Sequence, residues 1–402
     1  MRVLIMTKIF PNRIEPHSSP FNRAQFTALS RLCEVEILAT IPWFPGAQAL
    51  RRWSRAGQLV DVPSRDHLDG LPVRHPRFLF LPKIGNAISG PLYAASLAAC
   101  VLSYRGRVDV ILGSWAYPDG FAAVMLAGLL GVPAVIKLHG SDMDVVARLP
   151  GPRRRLRWAF PRAQRVVAVS RPLGEAAAAL GVAANRIDVV PNGVDTTRFR
   201  PSDRAAARRE LGVALDARVV LYVGRVEAEK GAIDLVEAFS RGATDLQGVD
   251  LVMIGDGSAL QRCRDIAEKS SARVVFKGAR PHAEIPRWLA ACDVLALPSW
   301  HEGMPNAVIE AIASGRRVVA TRVGGIPDVM SSDALGELVA PKDPSALAGA
   351  LGRTVRAPYD PSTVAKVASV PDWNASAGFL HESLRRAVAG WREERQPCLQ
   401  SA

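Results

Sequence analysis

Cysteine is scarce. Five residues in 402, Cys33, Cys100, Cys263, Cys292 and Cys398, fall without any C-x-x-C spacing, which excludes a cysteine-based metal cluster and gives no basis for a disulfide framework. That usage fits a reducing cytosol. Long apolar runs are missing too. The longest, Phe121 to Ile136, is interrupted by Gly128, Gly131 and Pro133 and falls short of the ~18 to 20 unbroken residues a membrane span needs. It reads instead as a helix, a Gly-Val-Pro turn and a strand. Met1 to Pro11 carries Lys8 in its apolar run and has no small-residue cleavage site, so it is expected to be a first buried strand rather than a signal peptide. Its following loop, Lys8-Ile9-Phe10-Pro11, contains no glycine, which removes a nicotinamide dehydrogenase from consideration.

What is present is a globular balance, 49% hydrophobic and 22% charged, in a length that suits two domains, each with its own core. The net charge is +13, and much of it is clustered at Arg51-Arg52-Trp53 with Arg55, and at Arg153-Arg154-Arg155 with Arg157-Trp158. Such clusters suit nucleic acid, an anionic membrane surface or anionic small molecules, or are simply solvated faces. No nucleic-acid motif accompanies them, so no nucleic-acid partner is expected and the membrane surface ranks higher. The chain is expected in the cytoplasm, with peripheral attachment to the inner face of the plasma membrane as the corollary of that charge.

Apolar, β-branched runs recur at Val3–Ile5, Val35–Leu38, Val108–Leu112, Ala134–Leu138 and Val166–Val169, and again at Val219–Val223, Leu251–Ile254, Val274–Phe276, Val294–Leu297 and Val318–Ala320. Helical stretches alternate with them. Continuous apolar strands alternating with helices signal parallel sheets covered on both faces. Two such series predict two doubly wound, Rossmann-like α/β domains, at 1–191 and 202–371, joined by a turn-rich linker at 192–201. The segment 372–402 is expected to be a helix and tail, and a helix placed after a complete second domain can cross back onto the first. Doubly wound sheets bind ligands beyond the carboxyl ends of their strands, so functional loops should follow strands.

They do. Ser299 to Ala313, S-W-H-E-G-M-P-N-A-V-I-E-A-I-A, follows an apolar strand and places Glu302 in a turn, a helix start at Pro305, and Glu310 on the helix one turn beyond Asn306. A helix start offers backbone N–H groups and a positive dipole end to an anion. Gly224-Arg225 follows Val219–Val223, and Lys230 comes five residues later, so that a guanidinium and an ammonium can be aimed at one anion. Gly255-Asp256-Gly257 follows another strand, where glycine permits close backbone approach. His139 ends a strand of the first half, in a position to donate a hydrogen bond. Asp142 and Asp144 are read as a helix cap and dipole partner rather than as metal ligands.

Taken with Gly324-Gly325-Ile326-Pro327 and Pro191-Asn192-Gly193-Val194-Asp195, these motifs resemble the retaining GT-B glycosyltransferases of family 4, in the same order and over most of the chain. The resemblance implies two Rossmann-like domains facing a central cleft, a nucleotide-sugar donor held by the C-terminal domain, and an acceptor held by the N-terminal one. It casts Arg225 and Lys230 as the cations on the diphosphate, Glu302 as the acid on the donor sugar's hydroxyls, Glu310 as the acid on the ribose, and His139 as the histidine near the reacting carbon. Gly224, Gly255, Gly257 and the backbone of Gly303, Met304, Asn306 and Ala307 complete the donor site; Pro305 has no N–H to give. Family members often have a glycine-rich loop after the first strand, but here it reads Glu15-Pro16-His17-Ser18-Ser19-Pro20-Phe21-Asn22-Arg23. Ser18, Ser19 and Asn22 are the acceptor-side candidates there. No cofactor and no essential metal are implied.

The competing readings are distinguishable. A glycoside hydrolase needs two carboxylates flanking one bond, ~5 to 10 Å apart, whereas Glu302 and Glu310 are expected at opposite ends of one donor. A sugar-nucleotide epimerase shares the two-domain shape, and a non-catalytic sugar-nucleotide-binding subunit of a polysaccharide assembly complex would be free to lose Arg225, Lys230, Glu302 and Glu310. The base, the sugar, the linkage and the oligomeric state are not encoded in any motif of this sequence.

Overall fold

The structure, a computed structural model, describes residues 1–16, 18–81, 85–240 and 244–399; His17 of the predicted acceptor loop and the last three residues of the tail lie outside the described part. The chain divides into two compact units, Met1–Gly193 together with the C-terminal segment from Trp373, and Val194–Asp372.

The first unit is built on eight strands: β1 (Arg2–Thr7), β2 (Glu34–Ala39), β3 (Arg65–Leu68), β4 (Leu71–Arg74), β5 (Val110–Ser114), β6 (Ala134–Leu138), β7 (Arg165–Ala168) and β8 (Ile187–Val189). Their order across the sheet is β8-β7-β6-β5-β1-β2-β4-β3, parallel throughout except between β3 and β4. Every residue of β5 and β6 is buried, the pattern of central strands covered on both faces. The chain runs outward from β1 to β2 and then returns to β5 on the other side. The switch point of this sheet therefore lies between the carboxyl ends of β1 and β5.

The second unit carries six parallel strands: β9 (Arg218–Val223), β10 (Val249–Ile254), β11 (Val274–Gly278), β12 (Val294–Leu297), β13 (Arg317–Thr321) and β14 (Gly336–Val339), ordered β11-β10-β9-β12-β13-β14. Here the switch point falls between β9 and β12. Val220, Tyr222, Leu235, Leu251, Met253, Val294, Val319 and Leu351 form its core.

All ten anticipated strands form. The unanticipated β3, β4, β8 and β14, and the short ribbon pairing Ile41–Trp43 with Arg77–Leu79, are edge or near-edge pieces whose proline and charge content hides an apolar pattern. Phe121 to Ile136 splits into a helix, Phe121–Leu130, ended by Gly131 in the left-handed region at φ 72°, and then β6. The helix Trp373–Leu399 belongs to the first unit. Its Ala377, Leu380, Leu384 and Ala387 are wholly buried in that core with Phe26, Leu29 and Val167. Gln25 Nε2 donates to Ser376 Oγ at 2.8 Å, and Ser376 Oγ donates to the Pro191 carbonyl at 2.6 Å.

Among the described residues no helix is long and apolar enough to cross a membrane. The apolar segments Phe78–Leu81 and Leu92–Leu102 mostly serve the core: Phe78, Tyr93, Ala94, Leu97 and Val101 are buried. They leave Phe80 and Leu102 partly exposed.

Candidate active site

The loops after β9, β10, β12 and β13 close on one another at the second switch point. Gly324 shows how tightly: it has φ 51°, and a Cβ there would lie 1.6 Å from the Glu302 carbonyl oxygen. Gly231 is equally constrained, with φ 66° and a Cβ position 2.0 Å from the Pro298 carbonyl oxygen. Only glycine fits two such approaches. Gly231 thereby seats Lys230 against the Ser299–Glu302 turn. The tight neighbours of Gly255 and Gly257 are the carbonyls of Gly224 and Val226, so the close approach predicted for these glycines is between two protein loops.

Lys230 Nζ donates to Glu302 Oε1 at 2.7 Å, and Ser299 Oγ donates to the same oxygen at 2.7 Å. The Ser299 carbonyl is fixed in turn by Thr321 Oγ1 from β13. Glu302 is largely buried, with 11% of its side chain exposed, and its second oxygen is not used by either donor. Trp300 braces the turn from outside, its backbone N–H donating to the Glu229 carbonyl at 2.9 Å and its indole to Asp234 at 2.6 Å. Lys342 lies over its ring at 4.3 Å. Below the turn, burial and the Glu302 charge push the Tyr222 hydroxyl's pKa up, and that hydroxyl donates to the Arg225 carbonyl at 2.5 Å.

The two predicted diphosphate cations pair with different acids. Arg225 is exposed and pairs with Glu229, four residues on in the same loop, at 3.2 Å. The predicted helix is present as Asn306–Ala313, with Pro305 at its cap instead of its first turn. The first helical amide bonds run from Val308 and Ile309 to the Pro305 carbonyl, and Asn306 and Ala307 open the helix. Gly303 and Met304 are buried in the preceding turn. Glu310, 15% exposed, is bound at Oε1 by His282 Nε2 at 2.7 Å.

In the first unit, His139 follows β6 and is partly buried between the rings of Phe21 and Trp115, at 5.2 and 5.8 Å. Its Nε2 lies 2.9 Å from Ser114 Oγ. Burial, reinforced by nearby Lys137, holds its pKa well below the usual histidine range, so the imidazole is neutral at physiological pH. Asp142 is fully occupied by backbone, accepting from Ala116 at 2.9 Å, Gly140 at 2.7 Å and His139 at 3.1 Å. Asn22 is 0% exposed, donates from Nδ2 to the Ile9 carbonyl at 3.0 Å and accepts from Ser114, so here it braces the loop after β1. Ser18 and Ser19 stay half-buried at the head of α1 (Pro20–Leu29), where the Ser19 hydroxyl caps no amide.

Sequence reasoning missed Ser299 as a partner of Glu302, His282 as a partner of Glu310, and a cluster at the first switch point. There Lys8 lies over Trp115 at 5.4 Å, and the Tyr93 hydroxyl donates to buried Asp119 at 2.7 Å. Burial pushes Asp119 up to about 7. Their position just past β1 and β5 was the available signal.

Comparison with known proteins agrees with this fold. Residues 217–356 fit the family model for glycosyl transferases group 1, and residues 25–198 fit that for glycosyltransferase family 4. TuaC of Bacillus subtilis (strain 168), whose name assigns it provisionally as a glycosyltransferase of teichuronic acid biosynthesis, is 30% identical over 360 residues, covering 88% of this chain and 89% of TuaC. The D-inositol 3-phosphate glycosyltransferase of Mycobacterium bovis (strain BCG / Pasteur 1173P2) is 35% identical over 224 residues, which cover 52% of this chain and 46% of that protein. Among solved structures, the fold is shared with sucrose-phosphate synthase from Thermosynechococcus elongatus at a TM-score of 0.75, 20% identity and coverage of 97% and 100% of the two chains. It is shared also with Anabaena HepE in complex with UDP-glucose, at a TM-score of 0.64, 22% identity and full coverage of both. The two family models, and a relative 30% identical over 88% of this chain, show that this chain belongs to the GT-B glycosyltransferases of family 4.

Proposed function

We propose that the protein is a retaining hexosyltransferase that moves a sugar from a UDP- or GDP-sugar to a glycan or lipid-linked acceptor in the making of a cell-surface polysaccharide or glycolipid. The observation that carries this reading is the Lys230–Glu302 pair, held by Ser299 beside the tip of the helix Asn306–Ala313 at the switch point of the second sheet. A diphosphate leaving group needs positive charge that strengthens its hold as the bond breaks. Lys230 and the positive amino-terminal end of the helix Asn306–Ala313 supply it, and Arg225, exposed on a flexible stem, swings in from Glu229. Glu302 then takes the donor sugar's hydroxyls through its unused oxygen, and Glu310 takes the ribose.

In the retaining step the acceptor hydroxyl attacks from the face the diphosphate leaves. The glycosidic C–O bond to phosphate breaks, the new C–O bond forms, and the departing phosphate oxygen accepts the hydroxyl proton. The neutral imidazole of His139 is suited to one hydrogen bond with a sugar hydroxyl. No step calls for a metal ion, so activity should survive chelation by EDTA. The names of TuaC and of the mycobacterial relative support an anionic glycan or phosphorylated polyol as acceptor, and the HepE complex supports a uridine donor. Exposed Trp53 and the arginine-rich helix Pro150–Ala159 support peripheral attachment to an anionic membrane.

The test is a screen of UDP-, GDP- and ADP-sugars for binding and slow hydrolysis, with the released sugar's anomeric configuration read by NMR. One UDP- or GDP-sugar should bind and be hydrolysed with retention. Conversion of the donor into a different nucleotide-sugar without any acceptor would establish an epimerase in its place, and inversion would overturn the mechanism.

A further inference from the structure

Among the described residues, His282 is the side chain that holds Glu310, and it is itself held from both sides. Its Nε2 lies 2.7 Å from Glu310 Oε1. Its ring rests against Phe199 with centroids 5.4 Å apart, and its carbonyl accepts from Arg198 Nη2 at 3.0 Å. Phe199 is 2% exposed, whereas the His282 side chain is 44% exposed. The chain Phe199, His282, Glu310 thus runs from a fixed buried ring through a half-exposed imidazole to a carboxylate that is 15% exposed.

A glutamate has three rotatable bonds, and an unheld carboxylate would sample many positions before a ligand arrived. A carboxylate also offers about four acceptor positions. The imidazole takes one on Oε1, so the rest stay available to a ligand, and the carboxylate is already aimed. Ordering done in the free protein is not charged against binding. Imidazole has the geometry to do this, being a rigid ring with one donor at Nε2 and a body that packs on an aromatic.

We propose that His282 is a positioning residue that presets the Glu310 carboxylate for the two ribose hydroxyls of the donor nucleotide, with Phe199 and Arg198 anchoring it. The inference rests on the ribose role given to Glu310 above. Its effect falls on nucleotide affinity, because His282 acts through Glu310 and touches neither the transferred sugar nor the diphosphate.

The experiment is calorimetric binding of UDP, GDP and ADP to the full-length protein, followed with whichever binds tightest. His282→Ala should weaken binding about tenfold, which corresponds to about 1.4 kcal/mol. His282→Gln, which keeps an N–H donor, should recover most of that loss, a rescue that a mere turn-former would not show. In a Glu310→Ala background, His282→Ala should have no further effect, since coupled residues are non-additive. In donor hydrolysis the His282→Ala loss should appear in KM rather than kcat. If Glu310→Ala leaves nucleotide binding unchanged, the ribose role itself fails. If Glu310→Ala weakens binding while His282→Ala leaves it unchanged, or tightens it, the presetting role alone is overturned; tightening would identify the imidazole as a competitor for the ribose's place.

Discussion

At the scale of single residues, Glu302 has two roles that mutation can separate. It neutralises Lys230 through Oε1, and in the proposed reaction it grips the sugar with its other oxygen. Glu302→Gln keeps the shape and removes the charge. We expect turnover of the preferred donor to fall by about two to three orders of magnitude, the range seen when one preorganised electrostatic partner is lost, with the fold intact by circular dichroism. Ser299→Ala removes only one of two donors to the same oxygen, and should cost about 0.5–1.5 kcal/mol, seen as a severalfold change in KM. Gly324→Ala is different in kind. Its Cβ would fall 1.6 Å from the Glu302 carbonyl oxygen at a φ of 51°, so either the loop moves or the unit loses stability. A melting temperature lowered by several degrees, together with donor binding lost, is the expected result, and unchanged values for both would refute the tight packing.

At the scale of elements, β6 carries an anomaly: Lys137 sits 0% exposed in a strand otherwise made of Ala, Val, Ile and Leu. Its Nζ donates to Gln25 Oε1 of α1, and burial drives its pKa down to about 7, against ~10.4 in an unfolded chain. Between those values the unfolded chain holds a proton that the folded protein has released, so this group makes stability rise with pH from about 7 upward. Asp119, raised to about 7 by burial, acts in the opposite sense, but over the lower range from ~4 to 7. Lys137→Met should therefore raise the melting temperature most at pH 7, and the gap from the wild type should shrink at pH 8 and again at pH 9. The elements themselves were legible because central parallel strands leave an unmistakable apolar run, as at Val294–Leu297. Those hidden in the sequence are edge and near-edge strands such as Leu71–Arg74, where proline and arginine break the pattern. The site was legible where one short stretch holds its chemistry, as in Ser299–Ala313, and illegible where partners are far apart in sequence, as His282 is from Glu310. Asn22 shows a related limit: a polar residue near a loop reads as available, and only the fold reveals that its amide is engaged by the Ile9 carbonyl.

For the whole molecule, the questions are how the +13 charge is distributed and whether it reaches a surface. Part of it is already spent internally. Arg51 pairs with Asp61 at 2.8 Å and Arg55 with Glu15 at 2.8 Å, so the first basic cluster is weaker than its sequence implies. Trp53 beside them is 85% exposed. The second cluster is organised by its helix: Pro150–Ala159 buries Pro152, Leu156 and Ala159 and turns Arg153, Arg154, Arg157 and Trp158 outward, with Arg162 stacked on Trp158 at 4.8 Å. A basic helix face with a tryptophan suits the headgroup layer of an anionic bilayer, where each basic residue contributes ~1 kcal/mol. Vesicles containing phosphatidylglycerol should therefore carry the protein upward in flotation, and zwitterionic vesicles should not. Because the attraction is screened within a Debye length of ~10 Å at 0.1 M salt, binding should fall steeply between 0.1 and ~0.5 M. The triple change Arg153→Glu, Arg154→Glu and Arg157→Glu alters only exposed positions and should abolish flotation while nucleotide binding in the second unit persists. Trp53→Ser should weaken flotation by a smaller, salt-insensitive amount, because it removes an apolar contact and no charge. Binding that ignored both salt and the arginine changes would place any membrane contact elsewhere on the molecule.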